Sequence, residues 1–296
     1  MLGLAPLLAE ENPPACQAPT IVANVRDKQG NLVPALQPES FRVKLGDESV
    51  SVKSVATGTG THRIVLLVDI SGSINKSEHT WEVARVVAGN LLVAAPSTLR
   101  VALVLFSDHI IDTIGFDRPA SDIVERLAKL ETGKGRTALL DSLAYAANLL
   151  GSPVAGDSVY VISDGGENAS HAHRSDVENR LLATGVRLFA FVVRPQYPLP
   201  TPEEAAEAAL LPEVTSMTGG GIIDAAPAVS LTEGSGLRPA LSRLYDRIAR
   251  FYQLQLTVPQ RWAKKKRLRL EVVDESGRNR KDLSLSYPEY LLPCPH

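Results

Sequence analysis

The sequence predicts an α/β protein: a mainly parallel sheet with one antiparallel edge strand and helices on both faces, inserted in a small β-sandwich built from both chain ends. Three observations predict it. From His62 to about Arg250, apolar runs of five or six residues alternate with amphipathic segments of helical period, as expected of strands buried under helices on both faces. Both flanks instead read as alternating, β-branched strand segments. The length, 296 residues, exceeds one ordinary α/β domain and suits one such domain plus a small companion.

Residues 1–19 read as a flexible N-terminal segment. In residues 20–60, TIVANVRD, SFRVKLGD and ESVSVKSVA read as strands, the first two separated by the turn-rich DKQGN. The α/β unit, residues 61–250, carries candidate strands at Arg63–Asp69, Arg100–Ser107, Ile111–Phe116, Ser158–Asp164, Val186–Val193 and Gly221–Ile223. Candidate helices are Ser77–Val93, Ser121–Leu130, Thr137–Leu150, Ser175–Ala183, Thr201–Met217 and Leu237–Phe251. So few residues part Arg100–Ser107 from Ile111–Phe116 that the pair reads as an antiparallel hairpin at one edge. Residues 251–296 return to alternation in YQLQLTV, RLRLEVVD and DLSLSYP. Strands split between two chain ends bury a face only by pairing with one another or by packing on the α/β unit, hence the expected sandwich. Pro195–Pro202 reads as a surface loop.

Composition narrows the function classes. With 44% hydrophobic and 22% charged residues the chain has the makings of a packed core, and disorder is excluded. Thirty-one Lys and Arg against 33 Asp and Glu leave a net charge of −2, without a global field toward nucleic acid or an anionic membrane. The longest apolar runs, Ile64–Val68 and Val101–Phe106, are strand-sized, so no transmembrane segment is expected. The opening MLGLAPLLA lacks a preceding basic residue and reads as an absent or truncated signal peptide. Cys16 and Cys294 stand at opposite ends, which excludes a Cys-rich zinc module and leaves a single end-to-end disulfide open, neither expected nor excluded by the sequence. Nine basic against three acidic residues between Gln260 and Lys281 read as a solvated β-edge rather than a nucleic-acid patch.

Chemistry concentrates at the ends of the apolar strands. RIVLLVD runs into ISGSI, placing Asp69, Ser71 and Ser73 on one tight loop. Thr137 stands at a helix start in GKGRTALLDSL, where it can cap the helix and face a metal, and Asp164 ends the next strand in VISDGGEN. In open α/β sheets these strand ends border the ligand crevice. Two carboxylates and three hydroxyls without His or Cys form a hard-oxygen set, suited to Mg2+, Mn2+ or Ca2+. Asp141 reads as a capping or supporting partner, and His171 and His173 as members of a solvated loop. GKGRT is not a phosphate-binding P-loop, because its Lys does not directly precede the Thr. GxGxxG after a strand and a GxSxG elbow at Ser71 are absent too.

DISGS, the Thr of GRTALLDSL, SDGGEN, FSD and TGG at Thr218–Gly220 together resemble the von Willebrand factor type A (VWA) domain over residues 62 to about 250. The flanks are similar to a bacterial VWFA-related subfamily that is usually exported. The resemblance implies a Rossmann-like domain with a metal-ion-dependent adhesion site (MIDAS), usually holding Mg2+, at Asp69, Ser71, Ser73, Thr137 and Asp164. It further implies a non-enzymatic protein-binding or adhesion module, secreted, periplasmic or at the cell surface. Its protein partner would offer an Asp or Glu carboxylate to the metal. A metal-assisted hydrolase using Glu167 or His171 as base, and a structural scaffold with an empty site, are the alternatives.

Overall fold

The computed structural model describes residues 18–58, 62–74, 78–94, 99–130, 135–193, 209–225, 237–258 and 262–294. Two sheets organise them. The α/β sheet comprises β4 (His62–Asp69), β5 (Leu99–Phe106), β6 (Ile110–Ile114), β7 (Ser158–Ser163), β8 (Arg187–Val193) and β9 (Gly221–Ala225). Its spatial order is β6-β5-β4-β7-β8-β9, parallel throughout except for β5–β6. The expected antiparallel edge hairpin is therefore present. Counted from β4 as the first strand, the order is that of a doubly wound sheet, reversing between β4 and β7.

The strands are buried on both faces because three helices cover each. Ile64, Leu66 and Val68 pack against α1 (Glu78–Ala94), α2 (Ala120–Ala128) and α6 (Leu237–Ala249). Val65 and Leu67 face α3 (Leu139–Leu149), α4 (Arg174–Thr184) and α5 (Leu210–Met217). In α1 the inward residues Ala84, Val87, Ala88 and Leu91 recur at helical spacing. Residues 201–208, expected as the first part of a helix ending at Met217, and the Pro195–Pro202 loop lie outside the described residues.

The second sheet draws strands from both ends of the chain: β1 (Thr20–Arg26), β2 (Phe41–Leu45), β3 (Glu48–Gly58), β10 (Phe251–Thr257), β11 (Lys266–Val272), β12 (Ser284–Ser286) and β13 (Tyr290–Leu291). Its order is β12-β1-β10-β3-β2-β11-β13, antiparallel at every step. This corrects the expected sandwich. Seven flat strands would span roughly 29 Å at ~4.8 Å each. Yet β12 and β13, at opposite edges, are joined only by Tyr287, Pro288 and Glu289, a connection that reaches at most about 14 Å. The sheet must curl until its edges approach. One core, including Ile21, Val43, Leu254, Trp262 and Leu270, then fills a single curled sheet in place of the space between two. Lys264 to Arg269 lead into and along β11, whose outer side pairs with β13 only at Lys266 and Arg267, so this basic segment does lie on a largely open edge. Cys294 is buried and disulfide-bonded; Cys16, the other cysteine of the chain, lies outside the described residues.

Gly58 at the end of β3, His62 at the start of β4 and the turn from α6 into β10 all meet at Phe251. Helix α6 ends at Ala249, two residues short of the expected Phe251, which instead opens β10. The Phe251 ring occupies space left by two glycines: a Cβ on Gly58 would fall 2.0 Å from it, and one on Gly156 2.5 Å. His62 meets the ring edge-on, with centroids 5.8 Å apart, and the Arg187 guanidinium lies 4.4 Å from its centroid. The connection between β12 and β13 supplies another tie, since Glu289 N donates to Met217 O at 2.9 Å and Gly219, at φ +73°, lets Tyr287 and Pro288 approach its backbone. Phe251→Ala should lower the unfolding free energy by about 3–5 kcal/mol, as for other fully buried phenylalanines. Denaturant unfolding checks this, and an unchanged midpoint would contradict the packing role.

Candidate functional site

The loop after β4 begins at the point where the strand order reverses. Asp69, fully buried, ends the strand, and Ile70 N donates to Phe106 O at 2.8 Å, so the chain leaves the sheet only after Asp69. The Asp69 carboxylate anchors this loop: Oδ1 accepts Ser71 N at 2.8 Å, and Oδ2 accepts Ser163 Oγ at 2.6 Å from the end of β7. The Ser71 and Ser73 hydroxyls lie 3.0 Å apart.

Four loops are stitched together here by backbone bonds. Gly72 N donates to Gly135 O, Ala138 N to Ser107 O, and both Asn168 N and Ala169 N to Thr137 O. Asn168 Oδ1 in turn accepts Thr137 N at 2.9 Å. Asp164 Oδ1 accepts Gly166 N at 3.1 Å. A Cβ on Gly166 would lie 3.3 Å from Asp164 Oδ1 and 3.6 Å from Thr137 Oγ1, so these oxygens converge across a position without a side chain. Asp69, Ser71, Ser73, Thr137 and Asp164 thus occupy three interlocked loops at one end of the sheet.

The expectation that Thr137 caps the following helix is corrected. Helix α3 begins at Leu139 with Ala138 at its N-cap and no side-chain cap bond from that residue. Its first amide groups are taken from across the loop: Leu140 N by Glu167 Oε2 at 2.7 Å and Asp141 N by Ser170 Oγ at 3.0 Å. The Thr137 hydroxyl is thereby released from capping, and it makes no hydrogen bond among the described residues. Glu167 is occupied in full, since Ser170 Oγ, Ser170 N and Ala169 N also donate to it. Asp141 supports the same loop by accepting the amides of His171 and Ala172 at 2.9 and 2.8 Å. Sequence reasoning missed Ser163, Asn168 and Ser170 as organisers; their signal is only that they are polar residues at the ends of the SDGGEN segment, Ser163 and Asn168, or just past it, Ser170.

A family model described as VWA domain containing CoxE-like protein matches residues 49–218, more than half of the chain. The chain belongs to the VWA domain family. Similar solved structures include proximal thread matrix protein 1 from the mussel byssus, with a zinc-occupied MIDAS motif, at 17% identity over 68% of this chain and 50% of that one, TM-score 0.52. A von Willebrand factor type A protein from Catenulispora acidiphila aligns at 12% identity over 95% of this chain and 75% of that one, TM-score 0.48. The conserved hypothetical protein BatB from Bacteroides thetaiotaomicron aligns at 13% over 64% and 98%, TM-score 0.47. No curated protein matches the chain. The byssus likeness supports the VWA fold.

Electrostatically, this VWA loop cluster is rich in acceptors, with Arg136 exposed beside Thr137. Burial, and next the neighbouring Asp164 charge, raise the Asp69 carboxyl to about 7, against the hydrogen bonds from Ser163 and Ser71 that favour its ionised form. Among the described residues no three His, Cys, Asp or Glu side chains cluster as a metal group. The set relies on two carboxylates and on hydroxyls. Two like charges held together are unfavourable without a cation, so Asp164→Asn should stabilise the metal-free protein at neutral pH by up to about 1 kcal/mol. Glu167→Ala should cost about 1–2 kcal/mol through the lost cap of α3. Unfolding curves in EDTA check both signs.

Proposed function

We propose that the chain is a divalent-metal-dependent protein-binding module of the VWA family, with Asp69, Ser71, Ser73, Thr137 and Asp164 as its MIDAS. The observation that carries this reading is the convergence of the Thr137 hydroxyl, free of protein hydrogen bonds among the described residues, with the Asp164 carboxylate across Gly166, beside the buried Asp69. These residues fit a hard cation: all the donors are oxygens, and the like charges on Asp69 and Asp164 are compensated by a positive ion. Bound there, a divalent cation supplies an electrophilic position open to an external carboxylate. The chain's own residues hold the rest in place: Ser163 orients Asp69, Asn168 fixes the Thr137 backbone, and the Gly72–Gly135 bond sets the Ser71–Ser73 loop against it. The partner is a protein offering an Asp or Glu side chain. Oxygen donors favour Mg2+, Mn2+ or Ca2+; the zinc in the byssus protein is a reason to titrate zinc as well.

We read the module as non-catalytic. The base a hydrolase would need is compromised, because both Glu167 oxygens are engaged by four N–H and O–H donors, while His171 is almost wholly exposed beside Asp141. An exported location, secreted, periplasmic or at the cell surface, is supported by the disulfide at Cys294. No helix among the described residues is long and apolar enough to cross a membrane.

Calorimetry with Mg2+ and Mn2+ tests the site. Saturable binding is expected for the native protein and a loss of roughly tenfold or more for Asp69→Ala and Asp164→Asn. Asp164→Asn, expected to fold at least as well as the native chain, separates lost ligation from lost structure. Equal affinity across the three proteins, or partner capture unaffected by EDTA, would contradict the proposal. Metal-dependent turnover of phosphoester or peptide substrates would favour the hydrolase instead.

A further inference from the structure

Two adjoining cavities, of about 500 and 390 Å3, lie where β9 and β12 face each other between the sheets, and both are lined by Ile222, Arg247 and Ser286. We propose that the smaller one is a binding site for a phosphate-type dianion held by Arg247, Arg267 and Arg269.

Arg247 forms the inner wall. Its Nη2 donates to Gly220 O at 2.9 Å and to Ser286 Oγ at 3.0 Å, whereas Nη1 makes no hydrogen bond among the described residues. The guanidinium fits because Gly221 has no side chain: a Cβ there would lie 2.9 Å from Nη1. No carboxylate pairs with it among the described residues. Burial, and then the Arg26 charge, lower its pKa, as expected for a cation short of negative neighbours.

Arg267 and Arg269 project from the exposed face of β11, two residues apart. Neither side chain makes a hydrogen bond or ion pair among the described residues. Their neighbours on the strand do: Lys266 pairs with Glu48 at 3.0 Å and Glu271 with Arg42 at 3.5 Å. A merely solvated edge gives no reason for the two arginines facing the cavity to be the ones left without partners. Among the described residues the acid lining this cavity is Glu289, which accepts Ser216 Oγ at 2.6 Å. Three arginines against one glutamate leave two positive charges, matching a dianion whose tetrahedral oxygens can receive several planar guanidinium forks. The larger cavity is lined by Lys28 and Arg243 against the acid Asp27, and so adds a smaller positive field.

The test is calorimetric titration of the full chain with inorganic phosphate in EDTA, which keeps the result independent of the metal site. Saturable binding is expected, weakened roughly tenfold or more in the Arg267→Ala/Arg269→Ala double variant and tightened in Glu289→Gln. Both arginines are exposed, and an unchanged melting temperature shows that the double variant is folded. Phosphoserine is a second probe: tighter binding than inorganic phosphate assigns the site to a phosphoryl group carried on a larger ligand, equal binding to the free ion. No saturable binding up to about 20 mM phosphate, or equal binding by the double variant, would overturn the proposal.

Discussion

The arrangement of the two sheets depends on one buried cation. Arg187, at the start of β8, is 1% exposed, and among the described residues it has no carboxylate in hydrogen-bond contact. Its guanidinium instead donates to Arg247 O and Ile248 O at the C-terminal end of α6 and to Gly156 O, with the Phe251 ring against it. Desolvation, then Arg247 and Arg26, lower its pKa to about 9, so it remains charged at neutral pH. Such a charge is tolerable only where fixed dipoles replace water, and a helix C-terminus concentrates partial negative charge. The second sheet reinforces the same helix end: Arg26 donates to Asp246 O and Arg250 O, and Asn24 to Arg247 O. Side chains from both sheets thus converge on one set of carbonyls, which fixes α6 and the start of β10.

That junction sits at the amino ends of the parallel strands. Gly58 leads out of β3 toward His62, the first residue of β4, and Gly156, Ser158 and Arg187 mark the same level in β7 and β8. The acceptor-rich loops lie at the carboxyl ends, one β4 length away, or about 26 Å for eight residues at ~3.3 Å each. The strand-reversal point places Asp69 and Asp164 side by side, and no backbone group in the parallel ladder can neutralise them. The loops therefore rely on cross-loop bonds: Ser163 to Asp69, Asn168 to Thr137, Gly72 to Gly135. The like-charge contact between Asp69 and Asp164 is a local cost, of the kind proteins retain at functional sites.

The α/β layer was legible because its signals are local. Five-residue apolar runs such as Ile64–Val68 need cover on both faces, and the short gap before Ile111 admits only a hairpin. Curling of the second sheet was not legible. It arises from β12 and β13 occupying opposite edges, a long-range pairing that alternation within DLSLSYP does not encode. The candidate ligands were readable from order and spacing, but their support was not. Glu167, four residues beyond Ser163, has the appearance of an idle carboxylate in the sequence. Only the fold brings it against Leu140 N, where it caps α3 in place of Thr137. The helix boundary at Ala249 was misplaced for a related reason: Phe251 continues the apolar period of α6, yet its ring belongs to the slot between Gly58 and Gly156.

The charge distribution joins these two ends of the molecule. A net −2 overall, with nine basic and three acidic residues between Gln260 and Lys281, leaves −8 for the remainder of the chain. Asp69 and Asp164 lie in the loops at the carboxyl ends of the strands, while Arg187, Arg247, Arg267 and Arg269, which have no carboxylate partner among the described residues, lie at or beyond the amino ends. Opposite charges held that far apart cannot neutralise one another, because at physiological salt the screening length is only about 8 Å. The proposed cation and anion sites therefore act independently of one another. The curled sheet forms one wall of the arginine cleft, and the contacts of Arg187 and Phe251 hold that sheet against the α/β layer at the opposite end from the Asp69 loop.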